Sequence, residues 1–139
     1  MNYRRFDNTI VLRLEKDEEV IESIKNICIK EEIKAGTITG LGASNDITIG
    51  LFKVDEKKYY SNSFKEDFEI TNLTGNISVM NDEPYLHIHG TFGKDDGSCI
   101  GGHLNKAIIS ATSEIFITVI NGNIGRRFND NIGLNLIEF

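Results

Sequence analysis

The chain has three histidines, and all three fall close together, at positions 87, 89 and 103. In Tyr85-Leu86-His87-Ile88-His89-Gly90-Thr91-Phe92 the apolar residues alternate with the period of a strand. Leu86, Ile88 and Phe92 are therefore expected on one face, and His87 and His89 on the other. Two strand steps separate the two rings by roughly 6.5 Å at the backbone. Imidazoles can close that gap around a metal ion held at about 2.0–2.1 Å. Three imidazoles with one coordination position left open form the ligand set of catalytic zinc sites, and imidazole also suits nickel, copper or iron. The competing reading is a hydrogen-bonded histidine cluster on a partly buried face.

Convergence depends on a turn. Asp95-Asp96-Gly97 suits a three-residue hairpin loop with glycine in the left-handed position. If Lys94 pairs with Ser98, His89 lies opposite His103, Gly90 opposite Gly102 and Thr91 opposite Gly101, and directly opposed residues share a face. A slip of one residue would oppose His103 to Ile88 and send it to the other face. Gly101 and Gly102 can distort the ladder, and they also keep side chains away from the rings.

Other candidate chemistry is less complete. Cys99 shares the expected face of His103, which permits a Cys/His nucleophile, but no third group orients the pair, and a buried structural thiol is the expectation. Glu114 is the carboxylate to nominate as metal ligand or general base. Tyr85 and Thr91 flank the histidines on their face and are candidates for a pocket wall. Arg126-Arg127 with Asp130 reads as an anion site or an ion pair, with the exposed pair as the default. Gly40-Leu41-Gly42 lacks the third glycine and the following helix of a dinucleotide fingerprint, so a bulge or tight turn is the better reading.

The elements that position these groups read as an α+β chain. Ile10, Leu12 and Leu14 alternate in a strand. A helix is expected next, with Asp17 as its N-cap and Val20, Ile21, Ile24, Ile27 and Cys28 as its apolar stripe. Lys34 to Ala43, then Asn45-Asp46 and the alternating Ile47, Ile49 and Leu51, read as a hairpin. Further strands are expected at Phe68–Ile70, Ile77–Met80, Tyr85–Phe92, Ser98–Leu104, Ile115–Ile120 and Leu134–Phe139. One helical stripe cannot supply the crossovers of a parallel sheet, so a mainly antiparallel sheet with one principal helix packed on it is expected.

With 139 residues, one domain spanning 1–139 is expected. Only the extreme N-terminus is a candidate for disorder. The formal charge of −6 opposes unaided binding to nucleic-acid phosphates, although Arg4-Arg5, Lys57-Lys58 and Arg126-Arg127 are candidate local patches. No apolar run reaches membrane-span length and no signal-peptide pattern opens the chain, so no membrane association is expected and a cytoplasmic location is. Cys28 and Cys99 are too few for a disulfide framework or a cysteine-built zinc site; Cys28 is assigned to the core.

His87-Ile88-His89, Asp96-Gly97 and Ile100-Gly101-Gly102-His103-Leu104 together resemble the plants and prokaryotes conserved (PPC) domain family in its free-standing prokaryotic form. Supporting pieces are Gly36 with Gly40-Leu41-Gly42-Ala43, Phe68-Glu69-Ile70 with Leu73-Thr74-Gly75-Asn76-Ile77, and Arg126-Arg127-Phe128 with Asp130. The resemblance covers nearly the whole chain. It implies an α+β fold assembled as a homotrimer, with His87, His89 and His103 near a subunit boundary where a divalent metal such as zinc binds. In plants the domain accompanies AT-hook segments that grip the DNA minor groove, and this chain has no Arg-Gly-Arg-Pro hook. Three functions follow as expectations: a metal-dependent small-ligand or regulatory protein, a hydrolase or lyase-type enzyme with Glu114 as base, and a DNA-associated or partner-docking protein, with direct DNA binding opposed by charge.

Overall fold

The computed structural model describes all of residues 1–139. In chain order the elements are β1 (Asn2–Phe6), β2 (Thr9–Glu15), α1 (Val20–Lys30), β3 (Gly36–Lys53), β4 (Lys58–Phe64), β5 (Phe68–Met80), β6 (Glu83–Gly93), β7 (Cys99–Val119), β8 (Gly125–Asn129) and β9 (Leu134–Glu138). One helix and one nine-stranded sheet give the α+β class. The sheet is mixed. Every pairing is antiparallel except β5 with β8, which meet in parallel at Val79 and Gly125.

Two long strands organise the rest. The first residues of β7 pair with β6, and most of its length pairs with β3. β3 also pairs with β5, and β5 with β6, so β3, β5, β6 and β7 close on one another. Their alternation sends Ile38, Ile47, Ile70, Leu73, Ile77, Ile88, Phe92, Ile115 and Ile117 inward, all essentially without solvent exposure. Each fully buried side chain of this size contributes on the order of 1.5–3 kcal/mol relative to exposure. β2 adds Ile10, Leu12 and Leu14 to the same core.

The helix packs its expected stripe, with Val20, Ile24, Ile27 and Cys28 buried and Ile21 half-buried against them. Its N-cap is Glu19, not Asp17, which has a positive φ of 70° and belongs to the turn before the helix. One Glu19 carboxylate oxygen accepts from the Glu22 amide at 2.7 Å, and the other from the Ala107 amide at 2.9 Å. The same side chain thus caps the helix and ties it to β7, a role that a shorter residue two positions earlier cannot fill.

The structure corrects several sequence expectations. β3 runs unbroken through Ala43-Ser44-Asn45-Asp46, where a hairpin turn was expected. Register shifts at Gly40/Gly42, Gly42/Ser44, Ser44/Asp46 and Thr48/Ile49 absorb the turn-prone residues as bulges, which bend a strand without reversing it. The strands expected at Phe68–Ile70 and Ile77–Met80 are one strand, β5. The N-terminus is ordered as the edge strand β1, anchored by Tyr3 and Arg5, which donate to the two Glu31 carboxylate oxygens at 2.7 and 3.0 Å. β4 and β8 were not foreseen, because β4 is polar and largely exposed, β8 is polar and half-buried, and neither has a clear apolar alternation. No helix is long and apolar enough to cross a membrane.

Candidate metal centre

The turn forms as its residues dictate. The Lys94 amide donates to the Ser98 carbonyl at 2.8 Å, the Gly97 amide to the Lys94 carbonyl at 3.0 Å, and Gly97 has φ 80°. Asp96 Oδ1 accepts from the Ser98 amide at 2.8 Å and braces the loop. The resulting register opposes His89 to His103, Gly90 to Gly102 and Thr91 to Gly101, without a break at the two glycines.

The rows continue on both sides. Thr74 of β5 lies beside His89, Asn76 beside His87, and Gly50 of β3 beside His103. A Cβ on Gly50 would lie 2.1 Å from Tyr59 Oη, so glycine is what admits the Tyr59 side chain there. That ring stands edge-on to His103 at 6.0 Å between centroids, and Tyr59 Oη donates to Asn105 Oδ1.

The three imidazoles cluster edge-on or tilted to one another, with interplanar angles of 67° for His87 and His89, 42° for His87 and His103, and 89° for His89 and His103. Their centroids are 5.1 Å apart for His87 and His89, 5.2 Å for His87 and His103, and 5.5 Å for His89 and His103. One potential ligand atom from each ring lies within 4.8 Å of the others. His87 and His89 bring their Nε2 atoms to 3.2 Å. Two nitrogens on a tetrahedral ion at 2.0–2.1 Å sit about 3.3 Å apart, so that pair needs little adjustment and His103 a modest ring rotation. Burial, the neighbouring His103 and His89, and the Arg126 charge push His87 down to about 4. Burial and then His89 lower His103 as well. Both are therefore neutral near pH 7, the state in which imidazole binds a metal. The donor set fits a borderline divalent ion such as zinc.

The rings open onto a cavity of about 710 Å³. Its other polar contributors include Asn76, Tyr85 and Arg126, and its apolar wall comes from Leu51, Phe52, Leu134, Leu136 and Ile137. Arg126 is the group whose role the sequence left open. Its Nε donates to Ser78 Oγ at 2.7 Å, Nη1 to the Asn135 carbonyl at 2.8 Å and Nη2 to Asn76 Oδ1 at 2.8 Å, and its guanidinium lies over the Tyr85 ring at 4.6 Å. The exposed ion pair belongs to its neighbour instead: Arg127 meets Glu138 at 2.8 Å, and Asp130 pairs with neither arginine. The doubled Arg126-Arg127 was the signal in the sequence; only the strand β8, seen in the structure, separates the roles of the two.

The remaining candidates separate from the histidines. Tyr85 lines the cavity and Thr91 does not. Glu114 is exposed on the far part of β7, opposite Arg13 and Leu41, and takes no part in the cavity. Cys99 is exposed at the start of β7 rather than buried, because it sits where the hairpin emerges from the sheet, while Cys28 is buried as expected.

The profile of the Plants and Prokaryotes Conserved (PCC) domain matches residues 1–121, and the chain belongs to that family. A protein from Bacteroides thetaiotaomicron, provisionally described as DNA-binding, is 35% identical, with a TM-score of 0.97 over 99% of this chain and 96% of its own. A metal-containing protein from Archaeoglobus fulgidus is 30% identical, with a TM-score of 0.88 over 98% of this chain and 97% of its own. A plant- and prokaryote-conserved protein from Pyrococcus horikoshii is 30% identical, with a TM-score of 0.86 over 99% and 94%. No match was found among curated proteins.

Proposed function

We propose that the protein binds one divalent metal, zinc the leading candidate, through His87, His89 and His103, and uses it to hold a small ligand in the adjoining cavity. The observation that carries this reading is the convergence of three imidazole ligand atoms within 4.8 Å at the mouth of that cavity. The metal-containing relative from Archaeoglobus fulgidus supports it. Bound there, the ion would supply a Lewis acid with a coordination position open to ligand or water.

A binding or regulatory role is favoured over hydrolase or lyase chemistry. Catalysis by activated water calls for a nearby base, and the cavity lining contains no aspartate or glutamate. The provisional DNA-binding description of the Bacteroides relative favours a second reading. Against it stands the net charge of −6. A cytoplasmic homotrimer completes the proposal. Leu41 and Phe116, 55% and 47% exposed, sit on neighbouring strands, and Phe128 is exposed on the C-terminal hairpin. Such surface favours self-association.

Metal analysis of untagged protein tests the central reading. About one equivalent per chain is expected, falling below about a tenth in a folded His89→Ala variant. Under a tenth of an equivalent in the parent protein, after incubation with excess zinc, would refute it. Sedimentation should give three times the 15.6 kDa chain mass, and a monomer at micromolar concentration would refute the trimer.

A further inference from the structure

The cavity beside the histidines carries a charge that nothing in the chain neutralises. Arg126 lines it and makes no ion pair. A guanidinium has five N–H donors, and three of the five meet protein acceptors, all of them uncharged oxygens. No carboxylate lines the cavity, in a chain where acidic residues outnumber basic ones by 21 to 15. A partly buried cation without a counter-ion is costly unless an anion arrives. A divalent ion on three neutral imidazoles keeps its full double charge and increases that demand.

The position of Arg126 is fixed from both sides. Asn76, which accepts from Nη2, is the cross-strand neighbour of His87. The Asn135 carbonyl, which accepts from Nη1, belongs to β9, the strand that also brings Leu134, Leu136 and Ile137 to the wall. The guanidinium thus stands between the imidazoles and the apolar side of the cavity, pre-ordered at no cost to an incoming ligand.

We infer that the cavity takes a small organic acid, whose carboxylate is held by Arg126 beside the metal and whose apolar body lies against Leu51, Phe52, Leu134, Leu136 and Ile137. This inference rests on the metal reading above. Planar guanidinium donors match a carboxylate's two oxygens, and a charge-assisted bond is roughly twice as strong as a neutral one. The volume of about 710 Å³ is of the order that small-molecule sites occupy.

Calorimetric titration of zinc-loaded protein with hexanoate, hexanamide and inorganic phosphate tests it, with zinc content measured on the same samples. Hexanoate should bind at least about tenfold more tightly than hexanamide, the amide lacking the charge. Arg126→Gln should remove that preference while zinc content stays unchanged, and Arg126→Lys should keep part of it. Phosphate binding equal to hexanoate would overturn the apolar half of the inference. Zinc bound but hexanoate no better than hexanamide would overturn the inference and leave the metal reading intact. So would full hexanoate affinity in Arg126→Gln. Should that variant fail to fold, Arg126→Lys decides: an undiminished hexanoate-to-hexanamide ratio there would overturn the inference. No zinc with Arg126-dependent hexanoate binding would refute the metal reading and keep the acid site; no zinc and no hexanoate binding would refute both.

Discussion

Two hairpins wall the same cavity, and they are built differently. The β6–β7 hairpin carries the three histidines and is sewn into the sheet on both sides, by β5 and by β3, with Ile88, Phe92 and Leu104 buried beneath it. The β8–β9 hairpin carries Arg126 and the apolar wall, yet only one of its residues pairs with the rest of the sheet, Gly125 with Val79; the other ties are the Arg126 bonds to Ser78 and Asn76, Asn135 Nδ2 donating to Tyr85 Oη at 3.3 Å, Lys57 Nζ donating to the Asp130 carbonyl at 2.7 Å, and the Val79 amide donating to the Ile124 carbonyl. Phe128, Leu134, Leu136 and Ile137 remain at least a third exposed. Ligand atoms for a metal need positions fixed to a few tenths of an ångström, which a packed sheet supplies. A wall that must admit a ligand is drawn from the less stable end of the structure.

The contrast makes graded predictions. Ile88→Ala removes a fully buried side chain under the histidines and should cost about 2–5 kcal/mol in chemical denaturation. A loss below about 1 kcal/mol would mean the hairpin is not anchored as described. Acid should act on the same region. Because His87 titrates near 4 in the folded chain and near 6.5 ordinarily, the unfolded state binds more protons between those values. The stability of metal-free protein should therefore be complete above pH 6.5 and fall as pH drops toward 4. A His87→Gln variant should flatten that slope, and an unchanged slope would locate the acid sensitivity elsewhere.

Smaller effects probe the turn and the wall. Gly97→Ala forces a Cβ into a backbone with φ 80° and should cost about 1 kcal/mol, with zinc stoichiometry retained because the β6–β7 ladder holds the register. Leu136→Ala, at a half-exposed site on the peripheral hairpin, should change global stability by about 0.5 kcal/mol or less. A cost matching that of Ile88→Ala would erase the distinction between the hairpins. Amide exchange should follow the same order, with Arg127 and Phe128 exchanging faster than Ile88.

How far the site was legible in the sequence follows from the same division. The histidine register depends on local chemistry: a glycine in the left-handed region, an aspartate bracing the turn and period-two alternation, all within the seventeen positions from 87 to 103. Those rules read directly from residue order. Arg126 could not be placed that way, because its partners Ser78 and Asn76 lie 48 and 50 positions back. β3 misled for a related reason: glycine, asparagine and aspartate signal a change in backbone direction, but whether that change is a reversal or a bulge depends on whether β7 is there to keep pairing. Glu114 shares a strand with His103, and strand membership alone does not bring two side chains to one site.

X-ray absorption at the zinc edge of metal-loaded protein tests the central claim most directly. Three imidazole nitrogens at about 2.0–2.1 Å, with a fourth light atom from water or ligand, are predicted. A zinc shell containing sulfur, or fewer than two imidazoles, would contradict the assignment of His87, His89 and His103 as one ligand set.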